Sequence, residues 1–245
     1  MRHALVTAAL APLLLWQGRR VRRITPRLPE PGGPRAGECG SGPMLRLLVL
    51  GDSAAAGVGV ASQGEALTGR LLAELAPTHN VHRRLCAHTG DDLAQLARRL
   101  PALAGEQFDI ALLSVGVNDV TGRTPPARWR RDYAELLTRL RAQCGVRLCV
   151  LTPVPPMHLF PALPQPLRWY MGGGARRLNA ALRELAARTP GCELLHTPFP
   201  MERSLMASDG FHPGARANVL WARAAAAAIR RYHQDSLCRR IDFKP

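Results

Sequence analysis

The feature that most constrains the fold is a short apolar segment that ends in three small residues. The segment 45–50 contains one charged residue among five apolar ones, a pattern typical of a strand buried on both faces of a parallel sheet. It stops at Gly51-Asp52-Ser53, which suits a tight turn from a strand into a helix. Open α/β sheets bind ligands at the carboxyl ends of such strands, so Ser53 is a candidate functional residue. The alternative is a serine that only caps the next helix.

Apolar runs and helical patterns alternate through the rest of the chain, interrupted by a proline-rich excursion at 153–166. This alternation predicts a three-layer α/β/α, flavodoxin-like fold with a five-stranded parallel sheet in the order 2-1-3-4-5. The predicted strands after the first are 80–87, 108–115, 146–151 and 192–196, and the predicted helices are 65–75, 91–100, 125–141, 169–187 and 213–232.

Residues able to catalyse acyl transfer follow several of these strands. A serine hydroxyl needs a base to take its proton, and His212 can serve as that base near neutral pH. Asp209 can reach the other ring nitrogen if the segment between them makes a turn. The side-chain amide of Asn118 can donate to a developing oxyanion. Asp52 and Asp119 are interpreted as structural residues that hold turns through backbone hydrogen bonds.

Four short motifs occur along the chain in the order Gly51-Asp52-Ser53, Gly90, Gly116-Val117-Asn118-Asp119 and Asp209-Gly210-Phe211-His212. Together they resemble the blocks of the SGNH, or GDSL-type, serine hydrolases. The resemblance extends over roughly residues 45–231, and its departure is Ala54, where the name-giving motif has leucine. It implies the same fold, a Ser53–His212–Asp209 triad, and an oxyanion hole made of the Ser53 and Gly90 N–H groups with the Asn118 amide. It implies no cofactor and no metal.

The predicted function is therefore hydrolysis of a carboxylic ester through an acyl-enzyme. The substrate could be a small acyl ester, a lysolipid, a thioester or an acetylated sugar. Two alternatives remain open at this point. One is an acyltransferase that uses the same triad. The other is a non-catalytic module that binds an anionic ligand at the turn after the first strand, helped by surface arginines.

The formal net charge of +15 raises the question of a nucleic-acid partner. The basic residues are almost all arginines scattered through predicted helices, and aromatic residues do not alternate with them as single-strand binding would require. Nucleic acid is therefore not the expected partner. The six cysteines form no Cys-x-x-Cys pair, so no zinc site is predicted.

The sequence divides into three parts: an apolar and basic segment (1–24), a Pro/Gly-rich linker (25–44) and the hydrolase domain (45–245). The apolar part of the first segment is shorter than the ~20 residues of a membrane span, and a cluster of arginines follows it. Such a cluster favours association with the cytoplasmic face of a membrane. The alternatives are an exported, periplasmic protein and a plain soluble extension.

Overall fold

The structure is a computed structural model that describes residues 2–196 and 202–241. A central sheet lies between two layers of helices, and short 3₁₀ turns occur at Leu100–Leu103, Met157–Leu159 and Arg203–Leu205. The strands are β1 (Ala36–Cys39), β2 (Met44–Gly51), β3 (Asn80–Ala87), β4 (Ile110–Ser114), β5 (Leu148–Leu151) and β6 (Cys192–Leu194). The helices are α1 (Arg2–Ile24), α2 (Ser53–Ala56), α3 (Leu67–Leu75), α4 (Leu93–Arg99), α5 (Val117–Gly122), α6 (Pro126–Cys144), α7 (Leu167–Arg188) and α8 (Ala215–Ile241).

The described sheet has six strands in the order β1-β3-β2-β4-β5-β6. Strands β2 to β6 are parallel and follow the predicted order, so the predicted fold class is confirmed. The prediction of an all-parallel, five-stranded sheet was incomplete. The additional strand, β1, lies within the segment predicted as a linker and pairs antiparallel with β3. This segment of four residues is too short and too polar to show a strand pattern in the sequence. Its backbone hydrogen-bonding groups are satisfied by pairing with β3.

The apolar pattern of the central strands reflects burial on both faces. Along β2, Leu48 and Leu50 pack into the layer that contains α4, α6 and α7, whereas Leu47 and Val49 pack into the layer of α3 and α8. Every residue of β4 is buried. This burial fixes the strand register, because a slip by one residue would exchange the two faces. The carboxyl ends of the parallel strands therefore meet along one edge of the sheet.

The opposite end of the sheet is held by Asp109, immediately before β4. Its carboxylate accepts hydrogen bonds from the backbone N–H of Arg46, at 2.9 Å, and from the guanidinium groups of Arg46 and Arg147. Burial alone would raise the pKa of Asp109, but these hydrogen bonds outweigh it and lower the pKa to about 2. The ionised carboxylate thus connects β2, β4 and the start of β5 far from the serine.

The first helix, α1, packs against the domain through one side. Leu14 and Val21 are buried there, and Gln17 bridges to the segment before α7. The Gln17 Nε2 group donates to the carbonyl oxygen of Gln165 at 2.7 Å, and the Leu167 N–H donates to Gln17 Oε1 at 3.0 Å. Across the described part of the chain, we find no helix that is both long and apolar enough to cross a membrane.

Candidate active site

Ser53 lies at the turn from β2 into α2, and the residues around it fix that turn. Only glycine fits at position 51, because a Cβ atom there would lie 2.3 Å from the carbonyl oxygen of Ser114. Asp52 caps α2: its carboxyl accepts from the Ala54 N–H at 3.0 Å, and its own N–H donates to Ser114. The predicted turn-holding role of Asp52 agrees with these bonds. The serine hydroxyl consequently projects from a rigid strand end.

The structure brings the three predicted triad residues together. His212 Nε2 lies 2.9 Å from Ser53 Oγ, and His212 Nδ1 lies 2.6 Å from Asp209 Oδ2. The second oxygen of Asp209 accepts from the backbone N–H groups of Phe211 and His212, so the segment makes the turn that the spacing required. Ser53 and His212 are 159 positions apart in the sequence.

The protonation of this chain of groups follows from Asp209. Burial raises the pKa of its carboxyl, but hydrogen bonds from the His212 side chain and from backbone N–H groups outweigh burial and hold the pKa below its usual range. The ionised carboxylate places the imidazole proton on Nδ1. Nε2 is then left with a lone pair that can accept the Ser53 hydroxyl proton.

The predicted oxyanion residues, Gly90 and Asn118, belong to turns that lie beside the Ser53 turn. Gly51 pairs with Ala87 of β3 on one side and with Ser114 of β4 on the other, so the three turns emerge next to one another. Gly90 has a φ of +90°, and its Cβ position faces open space. A glycine there allows both the left-handed backbone and close approach of a ligand.

A residue that sequence analysis did not single out, Asp91, connects the two oxyanion candidates. Asn118 Nδ2 donates to the carbonyl oxygen of Asp91 at 2.9 Å, which orients the amide toward the Gly90 turn. The buried Asp91 carboxylate is in turn bound by Arg99, at 2.5 and 2.9 Å. Asp91 lies before the start of α4 and Arg99 lies at its end. Their spacing of eight residues is therefore not a regular helical spacing, and no simple sequence motif indicates the pair. The Asn118 amide carries a second hydrogen that can reach a ligand.

The two remaining acidic residues of the motifs, Asp52 and Asp119, accept hydrogen bonds from backbone N–H groups. Asp119 accepts from the Leu93 N–H at 3.1 Å and so ties α5 to the start of α4, in agreement with its predicted structural role. Burial raises the pKa of Asp119 and raises that of Asp52 to about 7, against the backbone hydrogen bonds that each accepts. Asp52 therefore exchanges its proton near neutral pH.

This pKa leads to a pH-dependent prediction for Asp52→Asn. In the unfolded chain the carboxyl ionises near pH 3.9, whereas in the folded protein it keeps its proton up to about pH 7. The unfolded state thus binds fewer protons in that window, and the contribution of Asp52 to stability falls as the pH rises. Relative to wild type, the free energy of unfolding of Asp52→Asn should increase by roughly 2–4 kcal/mol between pH 4 and pH 8. Urea unfolding of both proteins measures this difference, and a constant difference would contradict the prediction.

A pocket of about 320 Å³ opens beside Ser53 and His212, on the side away from Gly90. It lies at the carboxyl ends of β4, β5 and β6, and α8 closes one wall. Most of its lining is apolar; the polar lining residues are Ser53, His212, Asp52, Ser114, Thr152, Arg183 and His196. Sequence analysis did not identify this apolar lining, because its members come from separate segments. The apolar side chains that line it include Val115, Val117, Val154, Phe160, Leu194, Leu195, Leu205, Met206, Phe211 and Trp221.

Known proteins resemble this chain in sequence and fold. The model of the GDSL-like Lipase/Acylhydrolase family matches residues 49–220. The GDSL-like esterase Rv1075c of Mycobacterium tuberculosis is 29% identical over 256 residues, which cover 94% of this chain and 79% of that protein. The esterase EstA from Pseudoalteromonas sp. shares 18% identity with a TM-score of 0.62, over 77% of this chain and 98% of that one. A lipolytic protein of the G-D-S-L family from Veillonella parvula shares 15% identity with a TM-score of 0.60, over 77% and 99%.

The two structural similarities, at these identities, show a common fold. The family match shows more than a common fold, because it spans most of the chain and includes Ser53, Gly90 and Asn118. The chain therefore belongs to the GDSL-like lipase/acylhydrolase family, and this membership supports hydrolysis of esters as its general activity.

Proposed function

We propose that this protein cleaves carboxylic esters through an acyl-enzyme, with Ser53 as nucleophile, His212 as general base and acid, and Asp209 as the residue that orients the imidazole. The observation that carries the proposal is the pair of short contacts, 2.9 Å from Ser53 Oγ to His212 Nε2 and 2.6 Å from His212 Nδ1 to Asp209 Oδ2. Both distances are within hydrogen-bond reach, so the first permits direct proton transfer from Ser53 to His212 and the second fixes the orientation of the imidazole.

The reaction follows from these contacts. Ser53 Oγ forms a bond to the acyl carbon while its proton moves to His212 Nε2, and the carbonyl oxygen takes up the negative charge. The N–H groups of Ser53 and Gly90 and the Asn118 amide stabilise that oxyanion. Collapse of the intermediate breaks the bond to the alcohol oxygen, which takes the proton from His212. Water then repeats the sequence on the acyl-enzyme and releases the carboxylic acid, and the proton returns to Ser53.

We further propose that the apolar pocket holds the acyl group. Its lining would bury an alkyl chain favourably, and an acetyl group would leave most of it empty. Its volume of about 320 Å³ is close to the lower end of the ~300–1,000 Å³ usual for ligand pockets. Short to medium acyl chains therefore fit better than long ones. An acetylated sugar is the least suited of the four substrate classes that the sequence left open.

The test of catalysis is covalent labelling with a fluorophosphonate probe, followed by peptide mapping. We expect the label on Ser53 and hydrolysis of p-nitrophenyl butyrate that the probe abolishes. Folded protein that neither takes the label nor hydrolyses the ester would support the non-catalytic binding module. Labelled protein that transfers the butyryl group to an added alcohol far faster than to water would support the acyltransferase.

The acyl pocket predicts a chain-length profile. Across p-nitrophenyl esters from acetate to palmitate, kcat/KM should peak between butyrate and octanoate and fall at palmitate. Ala217→Phe adds a ring where α8 lines the pocket, so it should abolish the preference for octanoate over acetate. Ala227→Phe, on the same helix but facing a different groove, is the matched control. Equal chain-length profiles for both variants would show that the acyl group binds elsewhere.

A further inference from the structure

The helix α1 is held to the domain by one side only. Leu14, Gln17 and Val21 lie four or three residues apart and form the attached side, with the two hydrogen bonds of Gln17 at its centre. These bonds fix the rotation of the helix about its axis. The residues on its other sides therefore keep a defined direction relative to the domain.

Large apolar side chains are exposed on the side of α1 that adjoins the attached side: Val6 and Ile24 project about 20° from Gln17, Leu13 about 40° and Trp16 about 100°. Eight large hydrophobic residues are exposed in the described part of the chain, and five of them belong to this helix, with exposed fractions of 41–59%. Four of the five are Val6, Leu13, Trp16 and Ile24. On a helix of 3.6 residues per turn these four fall within about 80° of one another. We call this set the α1 flank. Several exposed large apolar side chains that project to one side of a helix indicate an interaction site.

The charged residues of α1 are all basic. Four arginines follow Trp16 within the helix, whereas Arg2–Ile24 contains no acidic residue. The Arg20 guanidinium carbon lies 5.5 Å from the centre of the Trp16 ring, so a cation and an aromatic ring are presented together. Basic residues beside exposed aromatic and aliphatic side chains are characteristic of helices that lie in a membrane interface. The four arginines are Arg19, Arg20, Arg22 and Arg23.

We propose that the α1 flank docks on an anionic lipid bilayer, with the helix lying along the surface and still attached to the domain. The positive charge selects this partner. A second copy of the chain would bring eight arginines together without an acidic residue of either α1 to neutralise them. A bilayer that contains anionic lipid supplies both the negative surface and the apolar interior that Leu13 and Trp16 can enter.

Docking would also set the position of the ester site. The segment bonded to Gln17 is the end of the proline-rich excursion, and the beginning of that excursion lines the pocket through Pro153, Val154 and Phe160. One short stretch of chain therefore links the bilayer contact to the pocket. This inference does not depend on the proposed hydrolase activity, because binding is measured without any substrate.

The experiment is sedimentation of the full chain with vesicles of phosphatidylcholine alone or with one quarter phosphatidylglycerol. At low salt we expect binding to the anionic vesicles to be about tenfold or more tighter than to the neutral ones, and to weaken at 0.5 M salt. Tryptophan emission should shift to the blue on binding. In Trp16→Phe most of this shift should be lost while binding persists.

Paired variants distinguish vesicle binding through the α1 flank from binding through exposed apolar or basic residues anywhere on the surface. Leu13→Ser/Trp16→Ser and Arg20→Gln/Arg23→Gln should each weaken binding by about tenfold or more. Met44→Ser/Leu220→Ser and Arg128→Gln/Arg131→Gln alter equally exposed residues elsewhere and should leave it unchanged. Circular dichroism checks that all four variants are folded.

Three outcomes would overturn the proposal. The first is equal binding to neutral and anionic vesicles, or none to either. The second is an equal loss of binding in the control pairs. The third is light scattering that shows a wild-type dimer converted to a monomer by Leu13→Ser/Trp16→Ser, which would identify the flank as a contact between copies.

Discussion

Ser53→Ala should lower kcat for p-nitrophenyl butyrate by about 10⁴–10⁶-fold, and His212→Ala should lower it nearly as far. The double variant should be no slower than the slower single variant, because each change alone removes the same proton transfer. Steady-state kinetics with highly purified protein measures the residual rates. Ser62→Ala, an exposed serine outside the pocket, is the matched control and should retain full activity.

The result would be informative only for folded protein. Ser53→Ala removes one side-chain hydrogen bond, so this variant should unfold within about 1–2 kcal/mol of wild type. His212→Ala also removes the hydrogen bond to the buried Asp209 carboxylate, so its loss of stability should be larger. Activity that survives in both variants would assign the chemistry to other residues. If the decrease in kcat of the double variant were the product of the decreases in the two single variants, the two residues would not act in one shared proton-transfer step.

Asn118→Ala should lower kcat by about 10²–10³-fold and change KM much less. The amide is proposed to donate to the oxyanion, so its contribution is greater in the transition state than in the bound substrate. The variant also loses the hydrogen bond to the Asp91 carbonyl, which affects the Gly90 turn. The expected signature is therefore a fall in kcat without a matching rise in KM.

Thr121→Ala is the control for Asn118. It lies on the same short helix and donates a hydrogen bond to the Asn118 carbonyl oxygen, so it tests the backbone of α5 without touching the amide. We expect an effect below about tenfold on kcat. If Thr121→Ala were as slow as Asn118→Ala, a distorted helix rather than a lost oxyanion donor would explain both.

Much of the central fold could be predicted because buried strand positions are occupied by apolar residues, and this pattern is visible in the sequence. Strands β2 and β4 are apolar at nearly every position, since both of their faces are covered, and β3 was predicted with its observed bounds. The order of the parallel strands followed from the flavodoxin-like arrangement that five alternating strands and helices suggest, which the family resemblance also implies. Strand β1 escaped prediction because its four residues depend on pairing with β3 rather than on their own pattern.

The candidate site divides in the same way. The positions of Ser53, Asn118, Asp209 and His212 follow from motifs at strand ends. The Asp91–Arg99 support and the lining of the pocket do not, because they depend on side chains that meet only when distant segments pack. The attachment of α1 is a further example: Gln17 is a single polar residue between the apolar run and the arginines, and its partners are Gln165 and Leu167.

The Gln17–Gln165 contact spans 148 positions of the chain, which has a consequence for biosynthesis. At about 5–20 residues per second, the ribosome takes roughly 7–30 s to make the partner after α1 has been translated. During that time the attached side of α1 has no partner in the domain, so both this side and the α1 flank are exposed to other molecules. Under the proposed docking, binding of α1 to a bilayer therefore competes in time with its packing against the completed domain.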